Sequence, residues 1–369
     1  MKHSRRDWLK RGLAFGAGGA ASLVGARGAF AQHKPPVDQF PNSPMDAGRA
    51  PGQTLPPEAT NGPWRNLRAV QQKKVFDFHF HTFETPSQGT DYRAEGAQHE
   101  RDVWTDYSEQ CVQDMDRHGV AQGALSPVFT GFDRYVEGSF KSHPDRFIQM
   151  SAVSIQANKV GNRFKPVPPQ EAASILKEQV GHGVKGVGED GGLYLVSGKY
   201  TAKDMKPYAD VILQHDLPVI IHVGWTATGS AMNADRSYQT AWHWAERLGG
   251  VVAEYPDMKI VIGHTGGRFE PDAWEALRIA FTFDNVYLDT SKTTATIITE
   301  GVRGIGAERV VWGSDWNRPE MKQYGPFHYR NVYQRWWNLN QIAMADLTED
   351  QRDQVLYKTA RTLLKLAAA

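Results

Sequence analysis

Two histidines in an alternating stretch near residue 80 are the first residues whose types and spacing suggest chemistry. Asp77, His79 and His81 alternate with three phenylalanines in the segment 75–81. In a β-strand these three polar side chains share one face. Two imidazoles at positions i and i+2 can both reach one metal ion, and imidazole is the commonest metal ligand. Because a His-x-His pair also arises by chance on exposed strands, the metal hypothesis depends on further ligands elsewhere in the chain.

The elements that would position such ligands form a repeating pattern. Short apolar runs predict eight strands at residues 75–81, 120–128, 146–153, 184–187, 218–222, 259–264, 286–289 and 309–315. Longer stretches of helical character separate them, and further helices are expected near residues 329–345 and 349–366. Eight strands alternating with helices over roughly 250 residues predict an α/β fold, a (β/α)8 TIM barrel with extra C-terminal helices.

A doubly wound open sheet is the alternative architecture for the same alternation. The first predicted strand is followed by neither a glycine-rich dinucleotide fingerprint nor a phosphate-binding loop. Since those loops are typical of nucleotide-binding open sheets, their absence from the sequence favours the barrel.

Composition limits the partners. The chain has 369 residues with a formal net charge of +1, so neither nucleic acid nor an anionic membrane surface is expected as the main partner. Cys111 is the single cysteine in the sequence, so no intramolecular disulfide can form. This composition is compatible with a small-molecule substrate as the partner. The aromatic residues at 333–337 are interpreted as helix packing or an oligomer contact.

The N-terminus has the features of a targeting segment. Arg5 and Arg6 precede a Gly/Ala-rich apolar run at 12–25, and Ala-Phe-Ala at 29–31 fits a cleavage site. These residues resemble a twin-arginine signal, which implies interaction with the twin-arginine export machinery, export of the folded protein and a periplasmic location. The run is too short and glycine-rich for stable membrane insertion. A disordered basic tail is the alternative.

The expected domain organisation follows from these segments. Residues 1–31 are the predicted signal peptide, 32–70 an irregular leader rich in Pro and Gly, and 71–369 the barrel domain. Neither an internal repeat nor a second domain is visible in the sequence.

Ionisable residues close several of the predicted strands. They are His79 and His81 on the first strand, His222 on the fifth, His264 on the sixth and Asp315 on the eighth. In a TIM barrel the carboxyl ends of the strands carry the chemistry. Three of these imidazoles together with the carboxylate would favour zinc, while manganese, iron or cobalt could also bind, and an open coordination position would hold a water of lowered pKa.

Several segments together resemble a known family. They are DFHFH at 77–81, PVIIH at 218–222, IGHTGG at 262–267 and WGSD at 312–315, with HPDRF at 143–147 and ARTLL at 360–364. This set is similar to the amidohydrolase superfamily, in particular its amidohydrolase-related branch with the aminocarboxymuconate-semialdehyde decarboxylase-like enzymes. The resemblance extends over about residues 75–366.

The resemblance implies roles for the strand-end residues. His79, His81, His222 and Asp315 would bind one divalent metal. His264 would be the general acid/base next to the metal-bound water, a role that suits imidazole, although a purely hydrogen-bonding role is the alternative. Asp315 can also accept a proton from that water in family members.

One position departs from the binuclear members of the superfamily, which carry a carboxylated lysine at the end of the fourth strand. Here Glu189 follows that strand, so we expect one metal and keep Glu189 as a candidate for a second ligand or a substrate contact. Asp289, which ends the seventh strand, is a candidate for orienting a metal ligand.

Substrate contacts are expected on the loops above the metal. Arg268 could bind a substrate carboxylate, whereas Trp225, Trp316 and Arg318 could line a pocket for an aromatic or lactone substrate. Surface exposure for Arg268 and core packing for the aromatic residues are the alternatives.

Three functions remain open at this stage. The first is a metal-dependent hydrolase in which metal-bound hydroxide attacks a lactone, ester or amide carbonyl. The second is a metal-dependent non-oxidative decarboxylase that uses the same ligands, which a substrate-binding Arg268 would favour. The third is a non-catalytic barrel protein, which would bind no metal.

Overall fold

Eight parallel strands form the centre of the part of the chain that the structure, a computed structural model, describes. That part comprises residues 62–84, 105–127, 132–151, 155–157, 164–196, 200–223, 241–266, 270–316 and 334–367. The strands are β1 (Val75–Phe80), β2 (Val120–Leu125), β3 (Phe147–Ser151), β4 (Gly186–Val187), β5 (Val219–Ile221), β6 (Ile260–Ile262), β7 (Val286–Asp289) and β8 (Val310–Val311). Each pairs with the next in chain order, and all these pairs are parallel.

The two outer strands of this sheet meet. The Phe78 amide donates to the Trp312 carbonyl over 3.0 Å, and the Ser314 amide donates to the His79 carbonyl over 3.1 Å. A further parallel bridge joins Phe80 to Trp316. The sheet is therefore a nearly closed barrel, which confirms the predicted TIM barrel against the open-sheet alternative.

Helices follow the strands, as the alternating pattern predicts. Around the barrel lie Ser108–Arg117, Phe132–Tyr135 with the π-helix Val136–Phe140, Pro169–Gly181, Glu189–Val196, Lys206–His215, Ala241–Glu254, Glu270–Thr282 and Ala295–Ile305. The C-terminal helices are Gln334–Met344, Glu349–Asp353 with the π-helix Gln354–Lys358, and Thr359–Leu363. Two antiparallel pairs lie outside the barrel, Phe83–Glu84 with Thr105–Asp106 and Ile155–Ala157 with Phe164–Pro166.

The sixth and eighth strands are shorter than the sequence predicts. The predicted strands extend to His264 and Asp315, but the observed strands end at Ile262 and Val311. His264 has φ 58° and Asp315 has φ 52°, and this left-handed backbone cannot continue a strand. Both residues lie on the turns that follow their strands, so the site is built on these turns.

The strands are buried on both faces, as parallel strands covered by helices must be. All six residues of β1 are buried, including the three phenylalanines that the sequence assigns to packing. All three residues of β5 and of β6 are also buried. The polar face of β1 therefore carries His79 and Asp77 into an interior from which water is excluded.

Two short helices lie at the end of the segment that precedes the predicted barrel domain. The last part of the segment expected to be irregular forms a 3-10 helix at Pro63–Asn66, and a helix at Arg68–Gln71 follows. Trp64 and Leu67 are buried, and the Trp64 ring lies 5.0 Å from the His118 ring. Burial of these apolar side chains stabilises the two short helices. Among the described helices, none is long and apolar enough to cross a membrane.

Candidate metal centre and active site

The ionisable residues at the strand ends come together in overlapping groups. In one group, single donor atoms of His79, His81 and Asp315 all lie within 4.8 Å of one another. In another, donor atoms of Glu189, His222 and His264 meet the same criterion. The sequence expects His222 to share a metal with the first three residues, but the structure places its ring beside Glu189 and His264.

Hydrogen bonds fix the proton positions on the first two imidazoles. His79 Nδ1 lies 2.8 Å from Asp289 Oδ2, and His81 Nδ1 lies 2.6 Å from the Ser126 carbonyl oxygen. Since an ionised carboxylate and a carbonyl oxygen can only accept, each Nδ1 carries the hydrogen. A neutral ring then presents a bare Nε2. His79 Nε2 is buried and makes no hydrogen bond within the described chain, although Glu189 Oε2 lies 3.4 Å away and, with Asp289, raises the pKa of His79 against the effect of burial.

The spacing of the donor atoms suits a divalent metal. Glu189 Oε2 lies 3.4 Å from Nε2 of His79 and 3.4 Å from Nε2 of His81. Asp315 Oδ1 lies 3.2 Å from Nε2 of His81. Ligands bound tetrahedrally at about 2.0–2.2 Å stand roughly 3.3–3.6 Å apart. The three measured distances therefore suit a shared ion held by His79, His81, Asp315 and Glu189.

The Asp289 carboxylate has the orienting role that the sequence suggests for it. Its Oδ2 accepts from His79 Nδ1 and, over 3.1 Å, from the His264 backbone amide. Its Oδ1 accepts from the Ser291 backbone amide over 3.0 Å. The buried Asp289 side chain thus fixes both the orientation of the His79 ring and the position of the turn that carries His264.

His264 lies against the proposed ligands, where the sequence expects a general acid/base. Its Nε2 is 3.0 Å from Glu189 Oε1 and 3.3 Å from His222 Nδ1, and its Nδ1 is 2.8 Å from Ser291 Oγ. Burial, reinforced by the positive charge of Lys292, lowers the pKa of His264 to about 4. The imidazole is therefore neutral near pH 7 and can accept a proton.

The carboxylates of the site are ionised. Burial works against the charge of Asp315, but the Lys292 ammonium and the hydrogen bond from His81 together hold the pKa of that carboxyl well below its usual range. Burial likewise opposes ionisation of Glu189, while His222 and His79 lower the pKa of that carboxyl well below its ordinary value. Burial would lower the pKa of His81, but its bonds to Asp315 and Glu189 raise it to about 9.

Lys292 is a site residue that the sequence did not indicate. Its ammonium contacts Asp315 Oδ2, and its backbone has φ 57°. The Lys292 amide donates over 2.9 Å to Asn338 Oδ1, and the Asn338 amide group donates over 2.9 Å to the Ser314 carbonyl. Helix Gln334–Met344 therefore joins the turns after β7 and β8. A lysine in a loop gives no sequence signal for such a contact.

The predicted substrate contacts are only partly covered by the structure. Trp225, Arg268 and Arg318 lie outside the described residues. Trp316 is 1% exposed, with the Arg335 guanidinium 5.3 Å from its ring centre. This surrounding favours the packing alternative for Trp316. Glu189 is buried among His79, His81 and His264.

Comparisons with known proteins agree with the fold. The model of the Amidohydrolase family matches residues 76–366. No curated protein matches the chain.

Solved structures resemble the chain at low sequence identity. 5-Carboxyvanillate decarboxylase LigW from Sphingomonas paucimobilis is 15% identical with a TM-score of 0.51, covering 80% of this chain and 99% of that one. A dihydroxybenzoic acid decarboxylase from Polaromonas sp. JS666, with bound manganese and an inhibitor, is 17% identical with a TM-score of 0.51, covering 80% and 97%. A probable 2-pyrone-4,6-dicarboxylic acid hydrolase from Acinetobacter baumannii is 16% identical with a TM-score of 0.48, covering 79% and 100%. At these identities the likeness shows the fold alone.

Proposed function

The chain belongs to the amidohydrolase family, and we propose that it is a metal-dependent hydrolase acting on the carbonyl of a lactone, ester or amide. The observation that carries the proposal is the convergence of buried donor atoms: Nε2 of His79 and of His81 each lie 3.4 Å from Glu189 Oε2, and His81 Nε2 lies 3.2 Å from Asp315 Oδ1. Imidazole nitrogens that converge with carboxylate oxygens in a buried site form a donor set suited to a divalent cation, which displaces the imidazole protons when it binds.

The ion would be held by His79, His81, Asp315 and Glu189, and zinc suits this mixture of nitrogen and oxygen donors. Manganese is the alternative, because the Polaromonas structure holds that metal. When bound, the metal would polarise the substrate carbonyl and lower the pKa of a water molecule.

The residues of the chain would handle the proton. His264 is neutral and buried, so its imidazole can accept the proton of the attacking water and return it to the leaving group. Ser291 holds the ring through Nδ1, which keeps Nε2 directed into the centre. Asp315, which is ionised, is the alternative proton acceptor.

A decarboxylase is the second candidate function. The Lys292 ammonium lies at the centre and is partly accessible, with 20% of its side chain exposed, so it could bind a substrate carboxylate. The two similar structures named as decarboxylases share the fold of this chain. Loss of carbon dioxide would use the same ligands, with His264 supplying the proton that replaces it.

Metal analysis and a substrate screen test the proposal. We expect the purified protein to contain a divalent metal and to hydrolyse members of a panel of lactones and esters. Chelation should abolish turnover, and added Zn²⁺ or Mn²⁺ should restore it. Release of carbon dioxide from aromatic acids, with no hydrolysis of lactones or esters, would contradict the hydrolase and support the decarboxylase. If the purified protein contained no metal and showed no turnover, both functions would be contradicted and a non-catalytic barrel protein would be supported.

We also propose that the protein acts in the periplasm on a small-molecule substrate. The support is Arg5, Arg6 and the following apolar run, all outside the described residues. Replacing both arginines with lysine should retain the protein in the cytoplasmic fraction. Unchanged fractionation would contradict export by the twin-arginine route.

A further inference from the structure

A neutral imidazole carries one ring hydrogen, and at His264 two groups compete for it. Ser291 Oγ lies 2.8 Å from Nδ1, and Glu189 Oε1 lies 3.0 Å from Nε2. We propose that Ser291, held by Asp289, is a positioning residue that keeps this hydrogen on Nδ1, so that Nε2 is the atom that accepts the proton in the reaction. The inference rests on the proton-accepting role proposed above for His264 and adds the residue that makes this role possible.

The direction of the hydrogen bond between Ser291 and His264 follows from Asp289. The Asp289 carboxylate accepts from two backbone amides, that of His264 on Oδ2 over 3.1 Å and that of Ser291 on Oδ1 over 3.0 Å. Such bonds favour the ionised form, which has no hydrogen to give. Ser291 Oγ lies 2.5 Å from Oδ2, so the hydroxyl donates its single hydrogen there. It can therefore only accept from His264 Nδ1, and this nitrogen must carry the ring hydrogen.

The alternative tautomer of His264 leaves a mismatch. With the hydrogen on Nε2, the bare Nδ1 would face the Ser291 hydroxyl, which has no hydrogen left for it. Two acceptors that face each other in a buried site are costly, since water cannot satisfy either of them. With the hydrogen on Nδ1, the bare Nε2 instead faces His222 Nδ1 over 3.3 Å, a nitrogen that also contacts Glu189 and can donate.

The turn after β7 also holds the backbone of His264 in place. His264 and Thr265 have φ 58° and 42°, left-handed values that cost free energy in residues other than glycine. Thr293 Oγ1 donates to the His264 carbonyl over 3.0 Å, and Thr265 Oγ1 donates to the Asp289 carbonyl over 2.6 Å. These bonds keep the imidazole within reach of Ser291, and its burial hinders water from replacing the hydroxyl.

Removing the hydroxyl should reverse the preference of the ring. In Ser291→Ala, Nδ1 has lost its acceptor, while Glu189 Oε1 still offers a charged acceptor at Nε2. The hydrogen should move to Nε2, and the bare nitrogen would then face away from the proposed metal ligands. Because general acid–base catalysis contributes at least about 10²-fold, kcat should fall by at least this factor, with KM and metal content little changed.

Heteronuclear NMR of protein with isotope-labelled histidines tests the tautomer, because protonated and bare ring nitrogens have well-separated shifts. Spectra are recorded on the purified full chain in the presence of Zn²⁺, and the His264 signals are those missing from His264→Gln. We expect the hydrogen on Nδ1 in the unmodified protein and on Nε2 in Ser291→Ala. Ser291→Thr, which keeps the hydroxyl, should keep the hydrogen on Nδ1. Ser174→Ala, at an exposed position of helix Pro169–Gly181, is the matched control and should change nothing.

Two NMR results would overturn the role of Ser291: a hydrogen on Nε2 of the unmodified protein, or one that stays on Nδ1 in Ser291→Ala. If this variant fails to fold, the spectrum of the unmodified protein decides. An unchanged kcat, or a fall in kcat that follows loss of metal, would also contradict a positioning role. Absence of metal and turnover would contradict the proposed hydrolase, whereas the tautomer, which needs neither, still tests Ser291.

Discussion

At the scale of single residues, the proton positions on the histidines decide what the centre can bind. Each imidazole of the His79 and His81 pair gives its Nδ1 hydrogen to a fixed acceptor, Asp289 for His79 and the Ser126 carbonyl for His81. A flexible or exposed acceptor would let the ring turn or change tautomer. Because these acceptors are buried, the Nε2 atoms stay directed into the centre before any metal arrives.

Asp289→Asn tests this control of the ring. The amide accepts more weakly than a carboxylate and can present its NH2 group to His79 Nδ1, which would favour the wrong tautomer. We expect metal affinity to fall about 10–100-fold, the usual effect of losing such a partner. Competition with a chromophoric chelator measures it. Asp257→Asn, at an exposed position, should leave affinity unchanged, and equal affinity in both variants would contradict the role of Asp289.

The sequence predicts which residues belong to the centre, but it predicts less well which of them lie next to one another. His79, His81, His264 and Asp315 are visible because each follows an apolar run, and the structure brings them together. The placement of His222 with His264, and the central position of Glu189, depend on side-chain directions that spacing does not specify. Lys292, whose backbone is left-handed, contacts Asp315, and the sequence reveals neither feature.

At the scale of secondary structure elements, helix Glu189–Val196 is the feature that sequence analysis missed. It follows β4 after a single residue and carries Glu189 at its first position. Two consecutive glycines at 191 and 192 make the segment look like a loop, since glycine is a poor helix former. Tertiary packing explains the glycine, because a β-carbon at Gly192 would lie 1.7 Å from the Ile220 carbonyl oxygen.

Gly192→Ala should therefore disturb the metal centre through the helix. The added methyl group cannot fit against β5, so the helix must move and take Glu189 with it. We expect a loss of about 1–3 kcal/mol in the free energy of unfolding, together with weaker metal binding. Gly249→Ala is the control, since its β-carbon would meet nothing within 4 Å and should be neutral or slightly stabilising. Chemical denaturation and metal titration of both variants give the comparison, and matching results would contradict the packing argument.

At the scale of the whole molecule, a buried ionic cluster ties the C-terminal helices to the barrel. Arg335, on helix Gln334–Met344, is fully buried and lies 3.0 Å from Asp77 on β1 and 2.9 Å from Asp114. Burial raises the pKa of Asp77 even though Arg335 and Ser314 oppose it. The barrel strands and helices were predictable from apolar periodicity, but this cluster joins residues more than 200 positions apart and leaves no periodic signal.

Arg335→Met should be strongly destabilising. It leaves the Asp77 and Asp114 carboxylates buried without their cation, which typically costs about 3–5 kcal/mol. The exposed pair formed by Arg303 and Asp346 provides a matched control, since Arg303→Met should cost no more than about 1 kcal/mol. Urea denaturation of the two variants measures the difference. Similar losses in both would show that the buried cluster does not hold the C-terminal helices in place.

The charge state of the centre should make metal binding by the whole protein depend on pH. Without metal, the pKa of His81 is raised to about 9, so the imidazole is protonated at neutral pH and must lose that proton to bind a cation. Metal affinity should then increase as the pH rises from 6 to about 9, by about tenfold per unit for each displaced proton, and level off above. Chelator competition at each pH measures the affinity, and calorimetry in buffers of different ionisation enthalpy counts the protons released. His215→Asn, at an exposed position, should follow the same curve, whereas an affinity that is constant over this range would show that these imidazoles are already unprotonated in the metal-free protein.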